Sequence, residues 1–288
     1  MIKLALSDMD NTLLPFGRTA ISPATKAAIH TCQEAGVDFG PASGRNQAEL
    51  ASFFEGDKSC YNTGVMINGQ KVYYLGEVVF EKTLPREQLE RVERIVGTWK
   101  AGACAFITYR DDGFADWIGA SQSDLADMYE RAFVHGGQHH LTLPDYPVIK
   151  AGIIVMDQRQ AGDLSQQLTN ACPDLVFPNT VDRWLDVTPK GWGKAHGVAI
   201  LQKILGLQDK EICVFGDADN DLDMLRRYPN SCAVANANKN AAAAARWHIG
   251  ASAEDGVAKA LQDIAYAAQQ SQRTGADTLP TFMQAISS

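Results

Sequence analysis

Two acidic segments, each directly after a short apolar run, carry the residue types best suited to chemistry. Asp8–Thr12 (DMDNT) follows the run at residues 2–7, and Gly216–Asp221 (GDADND) follows the run at residues 211–215. An aspartate leaving a strand can attack phosphorus as a nucleophile, and a second carboxyl two residues on can move protons. A polar turn whose acids cap the following helix is the alternative for DMDNT taken alone.

The second segment has the composition of a metal site. Clustered carboxylates repel one another unless a cation neutralises them. Carboxylate oxygens are the ligands that Mg²⁺ prefers, together with water and substrate phosphate. A solvated acidic loop is the alternative, but the D-x-D pair at the other end of the chain favours a metal site.

Two weaker signals lie between these segments. Ser43, Gly44 and Arg45 end one predicted strand and open a helix, so a hydroxyl and backbone N–H groups could hold phosphate oxygens there. Lys194 begins a later helix, where an ammonium group could balance carboxylates and bind phosphate. An ordinary Ser-Gly turn and a solvated lysine remain the alternatives.

Short apolar runs alternate with amphipathic segments at both ends of the chain, which predicts parallel strands in a right-handed, doubly wound α/β sheet. A proline-initiated helix begins after Ser22. The predicted strands are residues 2–7, 37–42, 61–67, 211–215 and 231–235, and the later helices are 194–205, 221–228 and 238–246.

The middle of the chain reads as an α+β unit inserted into this fold. Its predicted helices are residues 88–99 and 123–133, and its predicted strands are 105–109, 114–118 and 149–156. We therefore expect a core from 1–82 and 184–268, an insert at 83–183, and a polar extension at 269–288.

Composition limits the partners. The chain has 288 residues, 45% of them hydrophobic, and a formal charge of −8. This acidity argues against nucleic acid and against an anionic membrane surface. No apolar run approaches a membrane span, and the six cysteines lie far apart without a C-x-x-C pair. We expect buried, reduced thiols in a cytoplasmic protein, with disulfides or a zinc site left open, a small-molecule partner, and a monomer or homodimer.

The order D-x-D-x-T, S-G-R, K, G-D-x-x-N-D resembles that of phosphatases in the haloacid dehalogenase superfamily. The resemblance spans nearly the whole chain and is strongest to the Cof-like branch with a type IIB cap, which includes many sugar-phosphate phosphatases. It implies a mostly parallel, Rossmann-like core with an inserted α+β cap. It also implies Mg²⁺ as the cofactor.

Carried over to the matching positions, the resemblance makes Asp8 the nucleophile and Asp10 the general acid/base. Lys194 would steady the phospho-aspartate, with Lys190 as a nearby alternative. The implied phosphate-binding residues are Thr12, Ser43, Gly44, Lys194 and Asn220. The implied Mg²⁺ ligands are Asp8, Asp10 through its carbonyl, Asp217 and Asp221.

The predicted substrate contacts rest on weaker sequence signals. Arg45, Asn62 and Arg183 are candidates. Asn68-Gly69 is the alternative to Asn62 for the family's Asn-Gly element. Packing at the hinge is the alternative role for Arg183. A sugar phosphate is the leading substrate class, ahead of phosphorylated cofactors. A sugar phosphomutase and a non-catalytic phospho-acceptor domain are the alternatives, and the acid at position 10 and the insert argue against the second.

Overall fold

The computed structural model describes residues 1–100, 104–110, 114–121 and 137–284. The chain divides into two compact units. The first comprises Met1–Glu81 with Gly193–Ser288, and the second is Lys82–Trp192. Strands and helices are numbered below along the chain.

A parallel sheet forms the centre of the first unit. Its strands are β1 (Leu4–Ser7), β2 (Asp38–Pro41), β12 (Ile212–Gly216), β13 (Asn230–Val234) and β14 (Trp247–Ile249), in the order β14-β13-β12-β1-β2. Ser7 is in register with Phe215 on one side and with Pro41 on the other. The carboxyl ends of β1, β2 and β12 therefore lie at one edge of the sheet, where open α/β sheets bind ligands.

The predicted third strand is present, but it belongs mainly to an antiparallel sheet of its own. Residues 61–67 contain β3 (Gly64–Met66), which pairs antiparallel with β4 (Lys71–Tyr74), followed by β5 (Glu77–Glu81). A single parallel bridge, Ala42 to Val65, links this hairpin sheet to the parallel strands. Because only a few residues separate β3 from β4, there is no room for the crossover that parallel pairing requires.

Helices enclose the parallel sheet of the first unit. They are α1 (Pro23–Glu34), α2 (Gln47–Phe53), α5 (Lys194–Leu205), α6 (Leu222–Arg227), α7 (Lys239–Ala244) and α8 (Gly256–Thr274). The predicted extension beginning at residue 269 starts too early, because α8 continues to Thr274. The last turn of α8 contacts the residue that follows α1: the side-chain amide of Gln272 donates to the Ala35 carbonyl at 2.8 Å.

The second unit is α+β, and its sheet is antiparallel. Its strands are β6 (Cys104–Tyr109), β7 (Ala115–Gly119), β8 (Lys150–Val155), β9 (Leu175–Val176), β10 (Asn179–Val181) and β11 (Trp184–Pro189), with helices α3 (Arg86–Thr98) and α4 (Ala161–Ala171). The sheet order is β10-β11-β8-β6-β7, with β9 beside β11. Helix and sheet share one apolar cluster that includes Leu89, Phe106 and Ile153.

The predicted return to the core at residue 184 is too early. Strand β11 pairs with β8, Trp184 opposite Ile154, so it belongs to the second unit, and the first unit resumes at Gly193. An isolated strand carries no signal of the sheet that it joins, which explains the error. The predicted helix at 123–133 lies outside the described residues.

All six cysteines are buried and free of disulfides. Within the described ranges, no helix has both the length and the apolar character needed to cross a bilayer.

Candidate active site

Three buried aspartates meet at the carboxyl edge of the parallel sheet. Asp8 directly follows β1, Asp217 directly follows β12, and Asp221 ends the short 3₁₀ turn Asp219–Asp221. Their nearest carboxylate oxygens lie within 4.8 Å of one another. The alignment of β1 with β12 thus brings together acids that lie more than 200 residues apart in the chain.

Lys194, the first residue of α5, lies among these carboxylates. Its side chain is 0% exposed, and Nζ lies 2.5 Å from Asp8 Oδ1 and 2.6 Å from Asp221 Oδ1. Lys190, the alternative considered from sequence, is an exposed residue of the second unit whose backbone N–H bonds the carbonyl of Asp174. The ammonium group that neutralises the nucleophile candidate is therefore that of Lys194.

One lysine does not balance three aspartates, and the pKa values reflect this. Burial raises the pKa of Asp8 to about 8, against the opposing effect of Lys194, and the charges of Asp221 and Asp217 raise it further. Burial also raises the pKa of Asp217. For Lys194, burial lowers the pKa, but the two carboxylates raise it more, so this group stays protonated. The remaining excess of negative charge suits a hard divalent cation such as Mg²⁺.

Asp221 and Thr12 orient the other residues of the aspartate cluster. Asp221 Oδ2 accepts from the backbone N–H groups of Asp217 at 2.9 Å and Ala218 at 3.1 Å, while its Oδ1 accepts from Lys194. The Thr12 hydroxyl donates to Asp217 Oδ1 at 2.8 Å. In these bonds Asp8 and Asp217 each use one oxygen, whereas both oxygens of Asp221 are engaged.

Close packing at Gly216 fixes this arrangement. A Cβ at that position would lie 2.7 Å from the side chain of Asp221. Any larger residue would push Asp221 away from the N–H groups that it accepts, so the glycine of the GDADND segment has a steric cause.

Asp10 lies apart from the buried cluster and is held by Arg45. The Arg45 Nε donates to Asp10 Oδ2 at 2.9 Å, and Nη2 donates to Oδ1 at 2.8 Å. The guanidinium carbon also lies 4.7 Å from the centroid of the Phe53 ring. Arg45 was predicted as a substrate contact, but this structure shows it bound to the candidate acid/base, a partnership that the sequence spacing does not reveal.

The turn after β2 contains Ser43 and Gly44. The Ser43 hydroxyl oxygen accepts from the backbone N–H of Arg45 at 3.2 Å, and the Ser43 carbonyl accepts from the N–H of Asn68 at 3.0 Å. The Asn68 amide lies 3.3 Å from where a Cβ on Gly44 would be. Of the two Asn-Gly candidates, Asn68-Gly69 therefore adjoins the site, whereas the Asn62 backbone bonds that of Lys58 and Gly76.

Two further predicted residues are less connected to the cluster. Asn220 is exposed within the 3₁₀ turn that carries Asp221. Arg183 belongs to the second unit, where its N–H donates to the side-chain oxygen of Gln158 at 2.6 Å. Phosphate binding by Asn220 and a substrate contact by Arg183 stay predictions.

Asp223 supports the site and was missed from sequence. Its Oδ2 accepts from the N–H of Ala195 at 2.9 Å, which caps the start of α5 next to Lys194. A Cβ on Gly193 would lie 2.3 Å from this oxygen, so the glycine makes room for the cap. The acid two residues after Asp221 is the one sequence signal that could have indicated it.

The chain is similar to several named phosphatases in sequence and in fold. It is 28% identical over 276 residues to a 5-amino-6-(5-phospho-D-ribitylamino)uracil phosphatase of Escherichia coli, covering 91% of this chain and 96% of the relative. It is 30% identical over 247 residues to an HMP-PP phosphatase of Yersinia pseudotuberculosis, covering 82% and 85%. Its fold matches that of a HAD subclass IIB sugar phosphatase with a TM-score of 0.73 and 20% identity, covering 90% and 98%.

A match that covers most of the chain identifies its family. A family model for haloacid dehalogenase-like hydrolases matches residues 5–261, which include the aspartate cluster, Lys194 and the whole second unit. The α/β class predicted from the strand pattern is confirmed by this match and by the shared fold. The chain therefore belongs to the haloacid dehalogenase-like hydrolase family, in which it is a hydrolase of phosphate monoesters.

Proposed function

We propose that this chain is a Mg²⁺-dependent phosphatase that hydrolyses a small phosphorylated metabolite, of the sugar-phosphate class, through a phospho-aspartate on Asp8. The observation that carries the proposal is the buried cluster of Asp8, Asp217 and Asp221 around Lys194. Similarity to phosphatases of small phosphorylated molecules supports the substrate class.

Asp8 and Asp217 are the residues that would hold Mg²⁺, since each has a carboxylate oxygen beyond those bonded to Lys194 and Thr12. Asp221 would act through its bonds to Lys194 and to the backbone of Asp217. When bound, the ion would offset the repulsion between Asp8 and a phosphate dianion. The backbone carbonyl of Asp10 completes the set that we propose.

Residues of the chain carry out the two steps of the proposed reaction, transfer of the phosphoryl group to Asp8 and its hydrolysis. In the first, a carboxylate oxygen of Asp8 forms a bond to phosphorus, the ester P–O bond breaks, and Asp10 gives its proton to the leaving oxygen. In the second, Asp10 takes a proton from water, the water oxygen bonds to phosphorus, and inorganic phosphate leaves with Asp8 restored. Lys194 stabilises the carboxylate form of Asp8 before the attack and after phosphate has left.

The hydroxyl of Ser43, the turn at Gly44 and the side chain of Asn220 are proposed to hydrogen-bond the transferring phosphoryl group. Ser43 is buried beside Arg45, and its hydroxyl accepts one hydrogen bond, which leaves its own proton to donate. Buried free thiols fit the reducing cytoplasm, where we place the protein.

Release of p-nitrophenol from p-nitrophenyl phosphate tests the proposal. The wild-type chain should turn over with Mg²⁺ and not with EDTA, and Asp8→Asn should lose at least about 10³-fold in kcat, because the nucleophile is gone. Asp163→Asn, an exposed position on α4 of the second unit, is the matched control and should retain full activity.

A panel of sugar phosphates then distinguishes hydrolysis from transfer. Release of inorganic phosphate, with one oxygen from labelled water, supports the phosphatase. Conversion of a sugar phosphate to its isomer, dependent on a bisphosphate and without phosphate release, would support the phosphomutase instead. No turnover of any ester under Mg²⁺ would contradict both.

A further inference from the structure

A second cluster of potential metal ligands lies in the first unit and shares no residue with the aspartate cluster. It joins His30, on α1, to Asp57 and Cys60, at the turn around Lys58–Cys60. One ligand atom from each of these three side chains lies within 4.8 Å of the others. The mixture of imidazole, carboxylate and thiol is typical of sites for Zn²⁺ and similar ions.

Several polar atoms converge on a single nitrogen, Nε2 of His30. Asp57 Oδ2 lies 3.0 Å from it, Ser59 Oγ lies 3.3 Å from it, and Cys60 Sγ lies 3.6 Å from it. A ring nitrogen carries at most one proton, so at most one of these three contacts is a strong hydrogen bond donated by Nε2. In a catalytic Cys-His-Asp arrangement the acid would contact the other ring nitrogen. Convergence on one nitrogen instead suits a cation shared among the ligands.

The spacing fits tetrahedral coordination. With Zn–N, Zn–O and Zn–S bonds of about 2.0, 2.0 and 2.3 Å, a tetrahedral ion separates its N and S ligands by about 3.5 Å and its N and O ligands by about 3.3 Å. The observed separations on His30 are 3.6 Å to sulfur and 3.0 Å to oxygen. Small adjustments would accommodate the ion.

The turn orients one carboxylate oxygen of Asp57 for metal binding. Asp57 Oδ1 accepts from the hydroxyl of Ser59 at 2.6 Å and from the Ser59 N–H at 3.2 Å. These bonds fix the carboxylate and leave Oδ2 directed at His30. Supporting hydrogen bonds of this kind orient metal ligands.

The solvent access of this cluster and the charges around it also suit a cation. The His30 and Asp57 side chains are 42% and 27% exposed, so solvent reaches the cluster although Cys60 is buried. The nearby Lys26 ammonium is paired with Glu55 at 2.5 Å, so its charge is matched. The carboxylate of Asp57 places negative charge directly beside the imidazole of His30.

We propose that His30, Asp57 and Cys60 bind one Zn²⁺-class transition-metal ion, with the fourth position taken by water or by the hydroxyl of Ser59. On binding, the Cys60 S–H bond breaks, the proton goes to solvent, and sulfur bonds to the metal as a thiolate. The ion would link α1 to the turn about 30 residues later, and therefore stabilise the folded first unit.

Cobalt substitution tests this site directly. Metal-free, full-length protein titrated with Co²⁺ in excess Mg²⁺ should develop a thiolate-to-cobalt charge-transfer band that saturates at one equivalent. The aspartate cluster contains no sulfur and cannot produce this band, so the result is independent of phosphatase activity. Zn²⁺ should displace Co²⁺ and abolish the band.

Variants identify the ligands. Cys60→Ser should abolish the band, and His30→Ala, at a half-exposed position that need not disturb folding, should weaken metal binding by at least about 100-fold, since even a supporting residue contributes 10–100-fold. Cys32→Ser removes a different buried thiol, on α1, and should keep the band. No band in the wild-type chain, or an unchanged titration in His30→Ala, would overturn the proposal.

Discussion

The guanidinium of Arg45 donates two parallel hydrogen bonds to the carboxylate of Asp10, at 2.9 and 2.8 Å. The Asp10 side chain is 53% exposed, whereas that of Arg45 is 22% exposed and packs over Phe53. The partly buried arginine thus holds the more exposed acid in one orientation. We interpret Arg45 as a positioning residue for the proposed acid/base.

Replacing Arg45 should impair proton transfer more than substrate binding. We expect Arg45→Ala to lower kcat by about tenfold, which is about 1.4 kcal/mol in the barrier. Because Asp10 protonates the leaving oxygen, the loss should be larger for alkyl phosphates than for p-nitrophenyl phosphate, whose leaving group needs little protonation. Asp10→Asn should show the same dependence on the leaving group, with an overall loss of about 10²–10⁴-fold.

The second unit contains a matched control. Arg159 makes a similar two-bond contact with Asp157, at 3.0 and 2.9 Å, on an exposed surface. Arg159→Ala should leave kcat unchanged for both substrates. Equal losses for the two leaving groups in Arg45→Ala, or additive effects in the Asp10→Asn/Arg45→Ala double variant, would contradict a role through Asp10.

Lys194→Met should destabilise the fold as well as abolish activity. The substitution leaves Asp8 and Asp221 buried without the ammonium that contacts both. Removing one partner of a buried ion pair lowers the free energy of unfolding by about 3–5 kcal/mol. Urea denaturation monitored by circular dichroism measures this change.

Saturating Mg²⁺ should restore part of the lost stability in Lys194→Met, because a cation can replace some of the missing positive charge. Lys203→Met, in the last turn of the same helix, is the control and should change the stability little. A Lys194 variant as stable as the wild type without Mg²⁺ would show that the aspartates are not charged together.

Mg²⁺ binding should release protons near neutral pH. In the metal-free protein, burial raises the pKa of Asp8 from 3.8 to about 8, with Asp221 and Asp217 adding to this effect and Lys194 opposing it. A raised carboxyl pKa means that the folded protein holds this proton more tightly than the unfolded chain. The metal-free protein should therefore lose stability as the pH rises from about 4 to about 8.

Calorimetry measures the linked proton. The apparent affinity for Mg²⁺ should rise with pH up to about 8, and the binding enthalpy should vary with the ionisation enthalpy of the buffer at pH 7. In Asp8→Asn this buffer dependence should become smaller. Buffer-independent enthalpies in the wild type would mean that the aspartates are already ionised.

Asp223→Ala should reduce activity through the position of Lys194. It removes the acceptor for the N–H of Ala195, which costs about 1 kcal/mol in the free energy of unfolding for a typical helix cap. Because α5 begins with Lys194, we also expect kcat to fall by about tenfold, as small displacements of charged groups impair catalysis. Steady-state kinetics and thermal unfolding measure the two effects.

Ser22→Ala provides the comparison for Asp223→Ala. Ser22 caps α1 by accepting from the N–H of Thr25 at 3.0 Å, and α1 carries no residue of the proposed catalytic set. This variant should lose stability while keeping its kcat. If both variants lose stability and keep kcat, Asp223 is merely a helix cap.

The sequence by itself determined the elements that present the chemistry. Helix α5 was predicted at its observed bounds, 194–205, because the glycine at position 206 closes it. The structure places Gly206 in the left-handed conformation, with φ of 63°. Strand periodicity placed Asp8 and Asp217 at strand ends, and parallel pairing places such ends at one edge. These signals are local, so a single sequence carries them.

Only the tertiary structure decided which side chains meet. The contacts of Arg45 with Asp10, of Asp223 with Ala195 and of His30 with Cys60 join residues about 30 positions apart, on different elements. Membership of β11 in the second unit likewise appeared only in its pairing with β8. Such contacts depend on register and packing between elements, which hydrophobic periodicity within one element does not specify.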